Sequence, residues 1–432
     1  MLYDTVDQAP PHLEVFLESP PARFPAVAAA LPTRLGADFW KLWTATAASN
    51  LSDGIRLAVL PLVVASLTRN PAQVAGVAFA AQAPWLLFGL ASGALVDRIE
   101  RRRIIGMAHL FRMTVVVLLA VGVAAGVATI PLLYAAAFLL GTAETLFDNA
   151  TQVIVPELVD ESQLEIANGR QTMALVAGQQ LIGPVLGASL FALAASLPLV
   201  IDGAVLLIAA LSVLSISRRP APLPAPETTI RSDITAGLRT LWSSPPLRRI
   251  SLAAAVVNVA LVAHMAVFVL FSLEILGVGG LGYALILACY AVGGIAGGWL
   301  APSISRRVSP HWAIVWALTA AAGSIIATGL TSSPWVTAAM QVTLAIGGSV
   351  WAVVTGSLRQ RLAPAGMLGR ITGTHQLLSW GGAALGALAG GVLASAFGLR
   401  APFLIGGAIL LVVALGFAAV RIERPVPAPA AT

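Results

Sequence analysis

Five charged residues stand inside stretches that are otherwise small or apolar. Asp53 and Arg56 lie in TAASNLSDGIRLAVL, Arg112 in a second such stretch, and Glu144 and Asp148 in a third. An unpaired charge in an apolar medium is costly, so each of the five is a functional candidate. Asp53 and Arg56 are one helical turn apart and can partly neutralise each other. Glu144 and Asp148, four residues apart, share a helix face. Two carboxylates on one face repel when both are ionised, so such a pair holds a proton more readily than either acid alone. That is what a proton carrier working near neutral pH needs. Arg112, at similar depth, can offset one of the acids. Asp53 is expected to be the most consequential, with Arg56 as its partner in one state and Arg112 in another. An amide of the same volume at position 53 is expected to keep the fold. The competing reading is a static ion-pair cluster that holds this part of the chain together.

Polar groups are scarcer further along. Asn258, His264, Glu274 and His375 are the exceptions in the second half. His264 titrates near neutral pH when free, but a hydrogen-bonded core histidine is the plainer reading. Trp85, Phe88, Phe147, Phe268, Tyr290, Trp351 and Trp380 fall inside apolar runs and are candidates for an amphiphile-binding cavity, with ordinary packing as the alternative. Trp40, Trp43 and Trp335 sit where interfacial anchors belong.

The elements that position these groups follow from composition. The 432 residues are 58% hydrophobic and 10% charged, with a mean hydropathy of +0.88. Soluble domains carry about 25% charged residues, so lipid must be part of the solvent. About 20 helical residues cross the hydrocarbon. On that measure spans fall at 41–66, 73–96, 104–125, 131–154, 168–194, 198–216, 250–275, 281–304, 312–330, 335–356, 371–396 and 402–420. Arginines crowd alternate loops, as at 101–103, 218–219, 248–249 and 306–307, while the opposite loops hold only Arg69 and Arg400. The positive-inside rule then places both termini in the cytoplasm and the chain in the inner or plasma membrane.

The expected organisation is a cytoplasmic tail (1–38), a six-helix bundle (39–216), a linker with an amphipathic helix (217–249), a second six-helix bundle (250–420) and a short tail (421–432). In the linker Ile230, Ile234, Leu238 and Leu241 recur at helical spacing, which suits a helix lying on the membrane surface. The net charge of +6 is accounted for by topology, not by a nucleic-acid patch. Lys41, the only lysine, follows no glycine loop, so there is no Walker-type ATP site. Cys289 is alone, so no intrachain disulfide and no thiolate metal site is expected. No H-E-x-x-H is present, and neither a cofactor nor a metal is expected.

The halves repeat. Pro131, Gly178, Gly183, Gly187 and Gly203 recur as Pro334, Gly381, Gly386, Gly390 and Gly406, each pair 203 residues apart by subtraction. Six spans per half makes the repeats parallel, a transporter architecture with the substrate path at their interface.

Between spans two and three the chain reads Gly93-Ala-Leu-Val-Asp97-Arg98-Ile-Glu-Arg101-Arg102-Arg103. This resembles the G-x-L-x-D-R-x-x-R-R-R signature of the major facilitator superfamily, and the twelve-span repeat extends the resemblance over roughly 39–421. The resemblance implies a gate built on Gly93, Asp97, Arg98, Arg101 and Arg102, with Asp97 facing the N-terminus of span eleven and a relay joining Asp148 to Asp97 and Arg101. A plain positive-inside loop is the alternative. The corresponding place in the second half has Pro302 where the acid would be. Gly178, Gly183, Pro184 and Gly187 in span five look like the G-P-x-x-G motif of proton-coupled exporters, although Gln179 stands where that motif usually has glycine. Small residues at this spacing also serve simple helix packing. S-N-L-S-D at 49–53 is similar to the branch with macrolide and enterobactin exporters. The resemblance thus implies a monomeric, all-α transporter with protons, membrane lipid and a small-molecule substrate as partners. Its expected activity is proton-coupled efflux of a hydrophobic or amphiphilic molecule such as a drug or siderophore. A proton-coupled metabolite importer, a lipid flippase and a non-transporting membrane sensor are the alternatives.

Overall fold

A computed structural model of the chain describes residues 35–96, 100–160, 163–217, 230–364 and 367–419. Most of the tail expected at 1–38, the proline-rich part of the linker and the C-terminal tail lie outside the described residues, as do Asp97 and Arg98.

Among the described residues the fold is all helix. The first half contains α1 (Ala37–Leu67), α2 (Pro71–Val96), α3 (Arg101–Ala124), α4 (Ile130–Leu158), α5 (Leu164–Leu193) and α6 (Leu197–Leu214). A shorter helix, α7 (Ile230–Ser243), follows where the amphipathic pattern is. The second half contains α8 (Pro245–Met265), α9 (Gly280–Arg307), α10 (Pro310–Leu330), α11 (Pro334–Leu362), α12 (Leu368–Phe397) and α13 (Ala401–Ala419). Eleven of these are long and apolar enough to cross a membrane. The 26-residue α2 completes a bundle of twelve by packing between α4 and α12.

Local sequence explains the boundaries. Proline occupies the first turn of α4, α6, α8, α10 and α11, where its missing N–H is not needed. Ser309 and Ser333 cap α10 and α11 with their side chains. The span expected as one helix at 250–275 is interrupted. After Met265 it resumes as Phe268–Leu270 and then a wide π-type turn, Phe271–Ile275, which ends near Gly277 at φ 66°. A second π turn, Val176–Ile182, lies in the middle of α5.

The repeated glycines serve close packing in both halves. A Cβ on Gly183 would lie 2.6 Å from the Cα of Gly54, and one on Gly187 2.9 Å from the carbonyl oxygen of Ile55, so α5 rests directly on α1. In the second half a Cβ on Gly386 would lie 2.5 Å from the carbonyl oxygen of Val259, and one on Gly390 would lie closer still to that of Ala263, so α12 rests on α8 in the same way. With no hydrophobic drive between helices in lipid, such backbone approach is a main source of association.

The halves meet at the end of the bundle that carries Arg69 and Arg400 and again nearer mid-depth. There Gly391 of α12 packs on Pro71, Ala72 and Ala75 of α2, and Gly280 of α9 packs on Leu62 of α1. Arg69 also faces Glu274 across the halves at 3.9 Å. Nearer mid-depth, Trp85 of α2 and Trp380 of α12 stack with ring centres 5.1 Å apart.

Candidate functional site

The five charges picked out in the sequence converge on the interior of the first half. α1 places Asp53 and Arg56 on the face toward α3, α4 and α6. The guanidinium groups of Arg56 and Arg112 both bind the same carboxylate oxygen of Asp53. The two arginines expected to serve Asp53 in turn are thus held by it together. Arg56 also donates to Ser52 at 2.8 Å and to Asp202 at 3.3 Å. Arg112, with no exposed surface, donates to Ser49 at 3.0 Å, and its guanidinium carbon lies 5.9 Å from the centre of the Phe147 ring.

Asp202 was missed at the sequence level. It is fully buried on α6 and supplies the second carboxylate to Arg56. The rule that found Asp53 applies to it equally. A lone acid directly after the span-opening Pro198-Leu-Val-Ile run is the available signal, and its nearness to the span's end masks it. His109, one turn before Arg112, was missed as well. It is buried against Phe147, with neither ring nitrogen hydrogen-bonded.

Glu144 and Asp148 lie within electrostatic reach of Asp53 and Arg112. Among the described residues, however, neither forms an ion pair. The cluster therefore contains four carboxylates and two guanidinium groups. Asp53 and Asp202 already serve the two cations, which leaves Glu144 and Asp148 in excess. In a low-dielectric interior that excess has to be met by protons or by a cationic ligand.

Asp53, Arg56 and Glu144 line a cavity of about 320 Å³ between the halves. Its remaining first-half wall comes from α1, α2, α4 and α5, including Gln82 and Gln179. Its far wall is Val262, Met265, Ala266 and Tyr283. A second cavity of about 260 Å³ shares Leu57, Gln179 and Met265 with the first, and adds Gln180, His264 and Tyr290. A third, of about 340 Å³, continues into the second half past Asn258, Tyr290, Ser349 and Trp351. The π turn of α5 lies where these spaces join, for Gln179 lines the first two and Gln180 the last two. Such turns are common at functional sites.

Not every aromatic candidate lines this space. Tyr290, Trp351, Asn258 and His264 do. Trp85 and Trp380 instead stack on each other across the halves, and Phe88 packs edge-on to Phe138. Phe268 is fully buried among Phe271, Tyr283 and Phe403. A tryptophan or phenylalanine in mid-span has the same sequence signature whether it faces a cavity or a neighbouring ring.

The motif between α2 and α3 is described in part. Gly93 lies in the closing turns of α2. Arg101 is buried and pairs with Glu157 at the end of α4, so it does not join Asp148 in the expected relay. Arg102 donates to the carbonyl oxygens of Leu214 and Ile216 at the C-terminus of α6. These partners are all within the first half. A cation at the C-terminal carbonyls of a helix is favoured by the helix dipole. The two arginines thereby tie α3 to α4 and α6. The glycines of the motif in α5 form the α1 contact described above, and their counterparts make the same kind of contact in the second half.

The comparisons with known proteins agree with this architecture. The family model described as transmembrane secretion effector matches residues 29–428. Among solved structures, the inward-facing, unoccupied bacterial homologue of the human lysosomal transporter Spinster is 17% identical, with a TM-score of 0.69 over 88% of this chain and 94% of that one. The inward-facing bacterial homologue of the iron transporter ferroportin is 17% identical, with a TM-score of 0.72 over 88% and 98%. The nucleoside transporter NupG is 12% identical, with a TM-score of 0.72 over 89% and 99%. At these identities the likeness is one of fold. No curated protein matches the chain.

Proposed function

The chain belongs to the family of transmembrane secretion effectors within the major facilitator superfamily, and from that premise we propose that it exports an amphiphilic small molecule in exchange for protons. Proteins of this family and fold are membrane transporters, not enzymes. The observation that carries the finer reading is the cavity between the halves, with charged groups on one wall and apolar side chains on the other. A molecule with an apolar body and a basic or polar group fits that division. The description of the family as secretory supports the outward direction.

Within the cavity Glu144 is the proton carrier. Asp53 is engaged by two arginines, whereas Glu144 opens to the cavity without an ion-pair partner. A proton and the basic group of the cargo then compete for one carboxylate, which is the requirement of exchange. Asp148, one turn along the same helix, is the next site for the proton. On the positive-inside orientation the Arg69 end is the outer face. The contacts at that end hold the halves together there, as an inward-open state requires.

The test is transport in proteoliposomes with an imposed pH gradient and a fluorescent lipophilic amine as probe. Glu144→Gln should keep downhill movement of the probe and lose its concentration against a gradient. A Glu144→Gln protein that still concentrates the amine would remove Glu144 from the mechanism.

A further inference from the structure

The second half carries few polar side chains, which makes the condition of His264 informative. It lies one residue before the end of α8 with 2% of its surface exposed. Its Nδ1 is 3.1 Å from the carbonyl oxygen of Ala260. A carbonyl only accepts, so Nδ1 bears the ring proton, and Nε2 of the neutral imidazole is left as an acceptor. Nε2 has no hydrogen-bond partner. The ring is held in place by Phe403, whose centre is 5.4 Å away. Buried acceptors are rarely left unsatisfied, and each one asks for an explanation. His264 lines the cavity of about 260 Å³ that Gln179, Gln180 and Tyr290 also line and whose remaining lining is apolar, and this cavity shares Leu57, Gln179 and Met265 with the one containing Glu144.

We propose that His264, with Gln179 and Gln180, forms a second cargo subsite that accepts a hydrogen bond from a hydroxyl or N–H group. This rests on the reading of the Glu144 cavity as the transport site and narrows the cargo class. The cargo is an elongated amphiphile with a basic group at Glu144, an apolar body along Leu57 and Met265, and a neutral hydrogen-bond donor that reaches Nε2. The amides of the π turn flank the path from one group to the other. The apolar wall does not reward a donor, so discrimination at this end depends on the imidazole. A site built to bond a hydroxyl rejects analogues that lack it far more strongly than a hydrophobic pocket rejects a missing methylene.

The probes are a long-chain tertiary amine ending in a hydroxyl group and its methyl ether, which keeps the oxygen but cannot donate. Binding to the full chain in nanodiscs is measured by calorimetry. The alcohol should bind about fivefold to tenfold more tightly than the ether, the worth of one neutral hydrogen bond. His264→Phe should bring the ratio to about one, while His264→Gln, which retains an acceptor oxygen, should keep part of the preference. Equal affinities for the two probes in the wild-type protein overturn the proposal, as does a preference that survives in His264→Phe. Binding of neither probe overturns the cargo class. If His264→Phe does not fold, the wild-type ratio and His264→Gln still decide. Glu144→Gln separates this proposal from the one beneath it. Coupled transport that persists in that variant, with the alcohol preference intact, refutes the proton carrier and leaves the His264 subsite standing.

Discussion

Replacing Asp53 with asparagine tests whether its carboxylate holds the first half together. The sequence alone suggests that an amide of equal volume is harmless to the fold, and the geometry reverses that expectation. Asp53 is the common partner of Arg56 and Arg112, of which Arg112 is fully buried and Arg56 is 6% exposed. After the substitution Arg56 still has Asp202 and Ser52, so the loss falls mainly on Arg112. That side chain would lose its carboxylate contact and retain Ser49, a neutral amide oxygen and the face of Phe147, with Glu144 and Asp148 in electrostatic reach but not in contact. Removing one partner of a buried ion pair costs about 3–5 kcal/mol, because the remaining charge is uncompensated. One such cost is expected here, since Arg56 keeps a carboxylate. The assay is thermal unfolding of the purified protein in detergent, with the single variant compared with Asp53→Asn combined with Arg112→Met. The single variant should melt well below the wild type, and the double variant should recover much of the difference because it no longer buries a cation without a carboxylate in contact. A single variant as stable as the wild type would refute the argument, and so would a double variant in which the two losses simply add.

Two further outcomes follow from the packing. Gly183→Ala places a methyl group 2.6 Å from the Cα of Gly54 and should cost about 1–3 kcal/mol; Gly169→Ala in the same helix meets nothing within 4 Å and should instead stabilise by about 0.4–1 kcal/mol, so unfolding of the pair reads opposite signs. Arg69→Ala breaks a pair that is 61% and 40% exposed and 3.9 Å apart, so stability should change by less than about 1 kcal/mol, and a larger loss in the same unfolding assay would show that the closed end depends on this contact.

The architecture was legible because its signals repeat. Apolar runs of fixed length mark the spans, and five residues at one offset mark the two halves. The charges within spans were legible for the same reason, since each is conspicuous against apolar neighbours. What remained hidden was pairing. Nothing local in the sequence says that Arg112 binds Asp53 at the same time as Arg56, that Arg101 finds Glu157 or that Arg102 finds the end of α6, because these partners are 50 or more residues away. Asp202 lies near the edge of an apolar run, where a charge reads as interfacial. The π turn of α5 also has no compositional mark. Gln179 is noticeable only as a departure from a glycine pattern, while its placement between two cavities depends on local widening of the helix.

The cavity between the halves has unequal walls. One is bound into a network where each charge answers for another, so almost any change there is felt by several partners. The opposite wall, formed by Val262, Met265, Ala266 and Tyr283, takes no part in that network. Substitutions on that side exchange one shape for another without disturbing the ionic network. On the proposed reading, the fit of the cargo's apolar body can therefore vary separately from the carboxylate that couples it to protons. Descendants of this chain, natural or engineered, can change the shape of body they accept while the ionic wall stays as it is.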